Sequence, residues 1–250
     1  VVEIITPGTA VEAEYLEGFK ANYLAALSIS GGKVGFAYID VTTGDFQATS
    51  WQASKMDDYF SKEINRASPS ELILPLSLKK NNSIQNVLLS YPKIAVSYYP
   101  DWDFSLDFSY KKLTKQFGVN NLKAFLLDEK SSEVGPAGFL LDYLEKTTNA
   151  NLLHIKSIKV YSDADFLILD DASRKNLEIT ENLRDGSIQF SLFECVNYAK
   201  TAMGSRLLKN WLVFPLTNIN QIEERQNRID VFVNNRQLLA NVASDLSNIL

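Results

Sequence analysis

Among its 250 residues the chain has one cysteine and one histidine. Cys195 therefore has no partner for an intrachain disulfide, and His154 alone excludes a His-rich metal centre. Long apolar runs are missing too. None reaches the roughly 18–20 residues that cross a bilayer, so no membrane role is expected. The first residues, Val1-Val2-Glu3-Ile4, lack the basic flank of a secretory signal. Excess positive charge is also absent. Twenty-five Lys and Arg stand against 30 Asp and Glu, a net charge of -5, which argues against a broad nucleic-acid groove. Residues 1–128 hold 12 basic against 14 acidic side chains, and residues 171–236 hold 9 against 8, so neither stretch is basic. Only Met56 and Met203 occur, with none at position 1. Leu238, Leu239, Val242, Leu246, Ile249 and Leu250 still recur at helical spacing where the sequence stops. These last two features predict an internal piece of a longer protein.

What is present is ordinary globular material. A hydrophobic content of 46% supplies a core for one large domain or two small ones. Asn22–Ser30 and Lys33–Val41 flank Gly31-Gly32 and read as a β-hairpin. Thr42-Thr43-Gly44 makes a second turn into a strand over Asp45–Trp51. The period then changes, and Ser54 is expected to cap a helix reaching about Ala67. Leu72-Ile73-Leu74 reads as a strand covered on both faces. A helix near Leu78–Leu89, a strand over Ile94–Tyr98 and a helix over Asp103–Phe117 follow. Three hairpin-linked strands and then alternating helix and strand predict an α/β fold: a ribonuclease-H-like mixed sheet with flanking helices. Gly135-Pro136 opens another helix. Lys156–Tyr161 and Phe166–Leu169 could pair as a hairpin, and everything after Asp170 reads helical. The expected division is a lead-in over 1–14, an α/β domain over 15–150, and a mostly α domain over 151–250.

Candidate chemistry is sparse. Ser30-Gly31-Gly32-Lys33 lacks the spacing of a phosphate loop and is better read as a hairpin turn. A metal nuclease needs clustered carboxylates, yet the first strand contains no acid, and Asp40 and Asp45 fit turn positions. Cys195, among helical apolar residues, reads as a buried and inert thiol. His154 reads as a hydrogen-bonded histidine at a domain junction. Asp101 and Asp103 beside Tyr98, Tyr99, Trp102 and Phe104 suit either partner docking or an Asp-capped helix start. Gly204, Leu207, Leu208, Trp211 and Leu212 fall on one helical face. A glycine there predicts a close helix crossing, with Arg206, Lys209 and Asn210 on the wet side. Pro215 stops that helix, and Asn218 with Gln221 starts the next.

The segment Asp170–Leu183, including Asp171, Arg174, Asn176, Leu177 and Glu178, carries a more specific pattern. So does Thr201–Trp211, including Thr201, Met203, Gly204, Arg206, Leu207 and Trp211, followed by Pro215-Leu216. Together they resemble the core-domain signature of the MutS family of DNA mismatch repair proteins. Asn22–Ala26, Gly35–Phe46, Ala137–Tyr143 and His154–Ile158 resemble that family's connector domain in the same order. The resemblance implies a connector domain followed by the first part of a helical core and lever domain. It implies a non-catalytic role: joining a mismatch-reading domain to an ATPase domain, transmitting nucleotide state, and offering a docking surface to MutL. Neither a Phe-x-Glu reader nor a GxxxxGK[ST] loop occurs here, so ATP, magnesium and mismatched double-stranded DNA are expected to bind elsewhere in a cytoplasmic, homodimeric parent. MutL is expected on the α/β part, with Tyr99, Trp102 and Phe104 as anchors. The competing readings are a metal-dependent nuclease and an unrelated protein-docking module.

Overall fold

Gly31 and Gly32 both adopt positive φ, 57° and 76°, the backbone that a tight two-residue hairpin requires. They join strand β1 (Tyr23–Ser30) to β2 (Lys33–Asp40) in antiparallel register, with Ser30 opposite Lys33. A second turn, closed by Gly44 N–H donating to the Asp40 carbonyl at 2.8 Å, leads into β3 (Asp45–Gln52), antiparallel to β2. The structure is a computed structural model that describes residues 6–8, 22–148, 152–162, 166–167, 169 and 171–248. Of the expected lead-in over 1–14, only residues 6–8 fall within these. The described residues separate into two compact units that divide between Tyr161 and Ser162.

In the first unit, β4 (Glu71–Pro75) and β5 (Ala95–Tyr99) extend the sheet in parallel beyond β1, and β6 (Lys159–Val160) lies parallel to β3. The order is β5-β4-β1-β2-β3-β6, in which only β2 runs against the rest. This is the mixed sheet expected of a ribonuclease-H-like fold. Every residue of β4 is buried, as its uninterrupted apolar run predicts. Helices α1 (Met56–Ala67), α2 (Asn82–Leu89), α3 (Leu106–Phe117) and α4 (Val134–Thr148) flank the sheet. Helix α4 is buried on most sides: Ala137, Leu140, Leu141 and Leu144 enter the main core with Leu24, Ala26, Ile39 and Leu113.

Several local expectations give way. Ser54 does not cap α1; a 3-10 turn over Ala53–Lys55 precedes that helix, and no side chain caps it. The helix expected from Leu78 begins only at Asn82, because Asn81 Oδ1 accepts from Ile84 N–H at 3.2 Å and starts it there. Among the described residues the hairpin expected over 156–169 is not made. Lys159 and Val160 pair with β3 instead, and Phe166 bridges to Leu216. The division between units also falls later than residue 150, since Leu152, Ile155, Ile158 and Tyr161 are all buried in the first unit.

The second unit holds α5 (Asp171–Asn176), α6 (Leu192–Val196), α7 (Ala202–Val213), α8 (Ile219–Asn234) and α9 (Arg236–Ser247). Residues 177–191 are turns and bends, where helix broken only at Asp185-Gly186 is expected from the sequence. Asn218 Oδ1 accepts from Asn220 and Gln221 N–H and caps α8 as its position predicts.

Candidate functional site

A ribonuclease-H-like sheet raises the question of clustered carboxylates, and among the described residues the first unit buries three. Asp40 ends β2, and its Oδ1 accepts from Thr42 N–H and Thr42 Oγ1 at 2.9 and 2.6 Å. The sequence suggests an ordinary turn residue there; the structure buries it almost completely. Glu71 begins β4 and accepts from Tyr143 Oη at 3.0 Å, Ser97 Oγ at 3.3 Å and Gly8 N–H at 3.2 Å. Burial and then the Glu71 charge push the Tyr143 phenol above its ordinary value. Glu63 on α1 accepts from Tyr161 Oη and faces Arg66. Each carboxylate is met by donors of its own fold, as buried acids must be. Among the described residues no group of three His, Cys, Asp or Glu side chains is placed to hold a metal ion.

The aromatic loop divides. Strand β5 ends at Tyr99, and a 3-10 turn over Asp101–Phe104 follows. The Tyr99 ring meets Phe139 and Tyr143 edge-on at 5.4 and 5.6 Å, while Phe104 stacks on Phe139 at 4.2 Å. Phe104 is buried in this packing, whereas Tyr99 packs on the same helix and stays partly exposed. Trp102 is 76% exposed. Asp101 is not a helix cap; its Oδ1 accepts from Ser77 N–H at 3.0 Å and ties the turn to the segment after β4. Beside the turn lies a cavity of about 200 Å³ lined by Ser28, Ser30, Ser77, Asp101 and Ser105 with apolar neighbours. It sits at the carboxyl ends of β1, β4 and β5, the place where open α/β sheets present ligand sites.

The signature segments of the second unit make turns, caps and stacking contacts. Asp171, Arg174 and Asn176 lie on α5, the Asp171 side chain being outside the described residues, and Leu177 is exposed. Glu178 takes φ 46°. Its Oε1 accepts from Leu183 N–H at 2.7 Å and its carbonyl from Leu192 N–H at 2.9 Å. Asn182 organises the turn between them. Its amide donates to Ser187 Oγ and the Gln189 carbonyl at 2.9 Å each, and its Oδ1 accepts from Arg184 and Asp185 N–H at 2.8 and 3.0 Å.

Thr201 Oγ1 accepts from Gly204 N–H at 3.0 Å and caps α7. A Cβ on Gly204 would meet only Thr201 Oγ1 and Ala199 Cβ, at 3.1 and 3.4 Å. The tight crossing expected at Gly204 is therefore not made there among the described residues. Leu207 is more than half exposed, so the predicted apolar face is not closed at that position either; Met203 is also more than half exposed, and Arg206 is half-buried. The Arg225 guanidinium centres 3.8 Å from the Trp211 ring and fastens α8 to α7. The Pro215 carbonyl accepts from Leu167 N–H at 2.8 Å.

The two residues of nucleophilic or proton-transfer type stand apart from one another in sequence. Cys195 is exposed, contrary to the buried thiol expected of it, because α6 is a short helix with only Phe193 buried. His154 Nε2 lies 2.7 Å from the Val41 carbonyl and pins the 152–158 segment to the end of β2.

Two features escape the sequence reading. One is the close approach of α3 and α4, where a Cβ on Gly138 would lie 2.3 Å from Ser109 Cβ and 2.4 Å from its Cα. The signal was a glycine in mid-helix, the same signal read at Gly204. The other is the Glu63–Arg66–Tyr161 cluster. The Arg66 guanidinium centres 4.5 Å over the Tyr161 ring. Burial first, then the Glu63 charge, hold the Tyr161 phenol well above its ordinary value. For Arg66, burial acts to lower the value, and Glu63 with Tyr161 outweighs it, so the net direction is upward. These contacts span 98 positions of sequence, which no local pattern encodes.

Two family models match the chain, MutS domain II over residues 22–156 and MutS domain III over 172–250. Over its whole length the chain is 43% identical to the DNA mismatch repair protein MutS of Treponema denticola, of which it covers 29%. It is 38% identical over 99% of its length to the MutS of Treponema pallidum, covering 28% of that protein. To the MutS of Symbiobacterium thermophilum it is 35% identical over its whole length, again covering 28%. The chain thus spans less than a third of the length of these relatives. No helix among the described residues is long and apolar enough to cross a membrane.

Proposed function

The chain belongs to the MutS family of DNA mismatch repair proteins, and from that premise we propose that it is a non-catalytic linking element. The observation that carries this reading is two adjoining compact units, an α/β unit and a helical one, in the order of MutS domains II and III. In the parent this element joins the mismatch-reading domain to the ATPase domain and transmits nucleotide state between them. Packed helices such as α7 and α8 suit that task, because a helix moves as a rigid rod when its contacts shift. ATP and magnesium bind in the ATPase domain of the parent. Mismatched double-stranded DNA binds through its other domains, and the parent works as a cytoplasmic homodimer.

MutL docks on the first unit, with Trp102 as the exposed anchor and Asp101 and Asp103 as its polar rim. The test uses the 250-residue chain. It should neither hydrolyse ATP nor distinguish a G·T mispair from paired DNA at physiological salt. It should bind the N-terminal half of MutL, and Trp102→Ala should weaken that binding at least about tenfold while changing stability by no more than about 0.5 kcal/mol. Mispair-selective binding by the chain would overturn the non-catalytic linking role. Unchanged MutL affinity in Trp102→Ala would remove Trp102 as the anchor.

A further inference from the structure

We propose that the cavity beside the 101–104 turn receives a lysine side chain of the protein partner that docks at Trp102. The inference rests on the docking role proposed above and adds the chemistry the partner must present. The cavity lies wholly within the first unit. Its volume of about 200 Å³ is little more than the roughly 150 Å³ that holds one benzene ring, so it takes a single side chain rather than a drug-sized ligand. Its polar lining is not used by the fold. The hydroxyls of Ser28, Ser30, Ser77 and Ser105 line it, and among the described residues none of the four makes a side-chain hydrogen bond. Ser28 is only 6% exposed, and a hydroxyl so buried is ordinarily paired. Ser105 stands at the start of α3 without capping it.

Asp101 supplies the charge. Its Oδ1 accepts from Ser77 N–H at 3.0 Å, which fixes the carboxylate at the cavity. Among the described residues Oδ2 has no hydrogen bond or ion pair, so it is left for a ligand. The sign of that charge selects the occupant. No Lys or Arg lies between Ile94 and Tyr110, a stretch that holds Asp101, Asp103 and Asp107. Lys79 and Lys80 follow Leu78, but neither lines the cavity, and the Lys79 ammonium sits 5.5 Å over the Tyr98 ring. An anion would meet the Asp101 carboxylate, and the positive end of α3 already carries Asp107 in its first turn. A lysine ammonium brings three donors and no acceptor, which match one carboxylate oxygen and the accepting serine hydroxyls. Its aliphatic stem packs on the apolar lining at Leu78 and Leu106. An arginine fork prefers both oxygens of a carboxylate, and one of these is taken by Ser77. Trp102, 76% exposed in the same turn, gives the partner its apolar contact outside the cavity.

Amide NMR spectra of the 250-residue chain, titrated with n-butylammonium, test the cavity without the partner. The amides of Ser28, Ser30, Ser77, Asp101 and Ser105 should shift saturably, and n-butanol and butyrate should bind at least about fivefold more weakly. Asp101→Asn keeps an oxygen for the Ser77 N–H and removes the charge. It should weaken n-butylammonium binding at least about fivefold and leave the other amides of β1 in place. Equal binding of n-butanol, stronger binding of butyrate, or no shift at the cavity would each overturn the proposal. With the N-terminal half of MutL, Asp101→Asn should weaken affinity at least about fivefold, and n-butylammonium should compete. If Trp102→Ala weakens MutL binding and Asp101→Asn does not, the docking role stands and the lysine site falls. A chain that binds n-butylammonium but not MutL would overturn the docking role itself, and the partner lysine with it.

Discussion

Gly138→Ala adds one methyl group where α3 and α4 cross, and the structure places that methyl 2.3 Å from Ser109 Cβ, 2.4 Å from Ser109 Cα and 2.7 Å from the Ser109 carbonyl oxygen. Carbon atoms in contact rest at about 3.5–4.0 Å, so the two helices must part by roughly 1 Å or more. They have little room to do so. Ser109 Oγ donates to the Gly135 carbonyl at 3.1 Å, and Leu113, Leu140 and Leu141 fill the same layer with no solvent exposure. Alanine recovers about 1 kcal/mol of helix propensity over glycine. Overpacking of a close-packed interior costs about 1–3 kcal/mol, occasionally more, and here backbone atoms stand in the way. The net expectation is a loss of about 1–3 kcal/mol from the first unit. The assay is guanidinium titration of the 250-residue chain with hydrogen exchange of β1 amides as readout, which reports the first unit separately. Gly204→Ala is the control. Its methyl meets the Thr201 hydroxyl at 3.1 Å and no neighbouring helix, so its effect should stay within about 1 kcal/mol, propensity offsetting the contact. Ser109→Gly in the Gly138→Ala background should not restore stability, because Ser109 Cα and its carbonyl remain. An unchanged midpoint for Gly138→Ala, or full rescue by Ser109→Gly, would refute the close-crossing argument.

Asn182→Ala removes two donated and two accepted hydrogen bonds from the 178–191 turn and should cost the second unit about 2 kcal/mol, read as a lowered denaturation midpoint. Thr201→Ala removes the α7 cap and should cost about 1 kcal/mol in the same measurement. The Asp142 carboxyl feels burial, which raises its pKa, but the hydrogen bonds from Lys146 and Lys112 outweigh that and hold it below the usual value. A depressed folded value contributes stability above the unfolded pKa and loses it as pH falls through the folded one. The Asp142 contribution should therefore be constant from neutral pH down to about pH 4 and decline below. Melting midpoints of the parent and Asp142→Asn between pH 2 and 6 should converge toward the acid end.

Wherever a structure depends on neighbours in the chain, it is legible in the residues themselves. Gly31-Gly32 supplies the positive φ of a hairpin, and the unbroken run Leu72-Ile73-Leu74 marks a strand covered on both sides. Asn218 carries its own capping oxygen. The mixed sheet, hairpin-linked strands extended by parallel ones, followed from these units, since hairpins and crossovers leave few ways to assemble them. The MutS resemblance was legible too, because ordered matches extend along the whole chain. Tertiary structure decided which of several equivalent local signals was used. Gly138 and Gly204 are both glycines inside apolar helices, yet only Gly138 faces a helix close enough to exclude a methyl group. Tyr99, Trp102 and Phe104 look alike as exposed aromatics in a loop. Packing on Phe139 of α4 buries Phe104, covers Tyr99 in part and leaves Trp102 on the surface. Lys156–Tyr161 has the alternation of a hairpin strand, but its partner proved to be β3, more than a hundred positions away, and Tyr161 finds Glu63 across a similar distance. Local pattern sets which faces a segment must bury. Which surface buries them depends on contacts between residues far apart in sequence, and those exist only once the chain has folded.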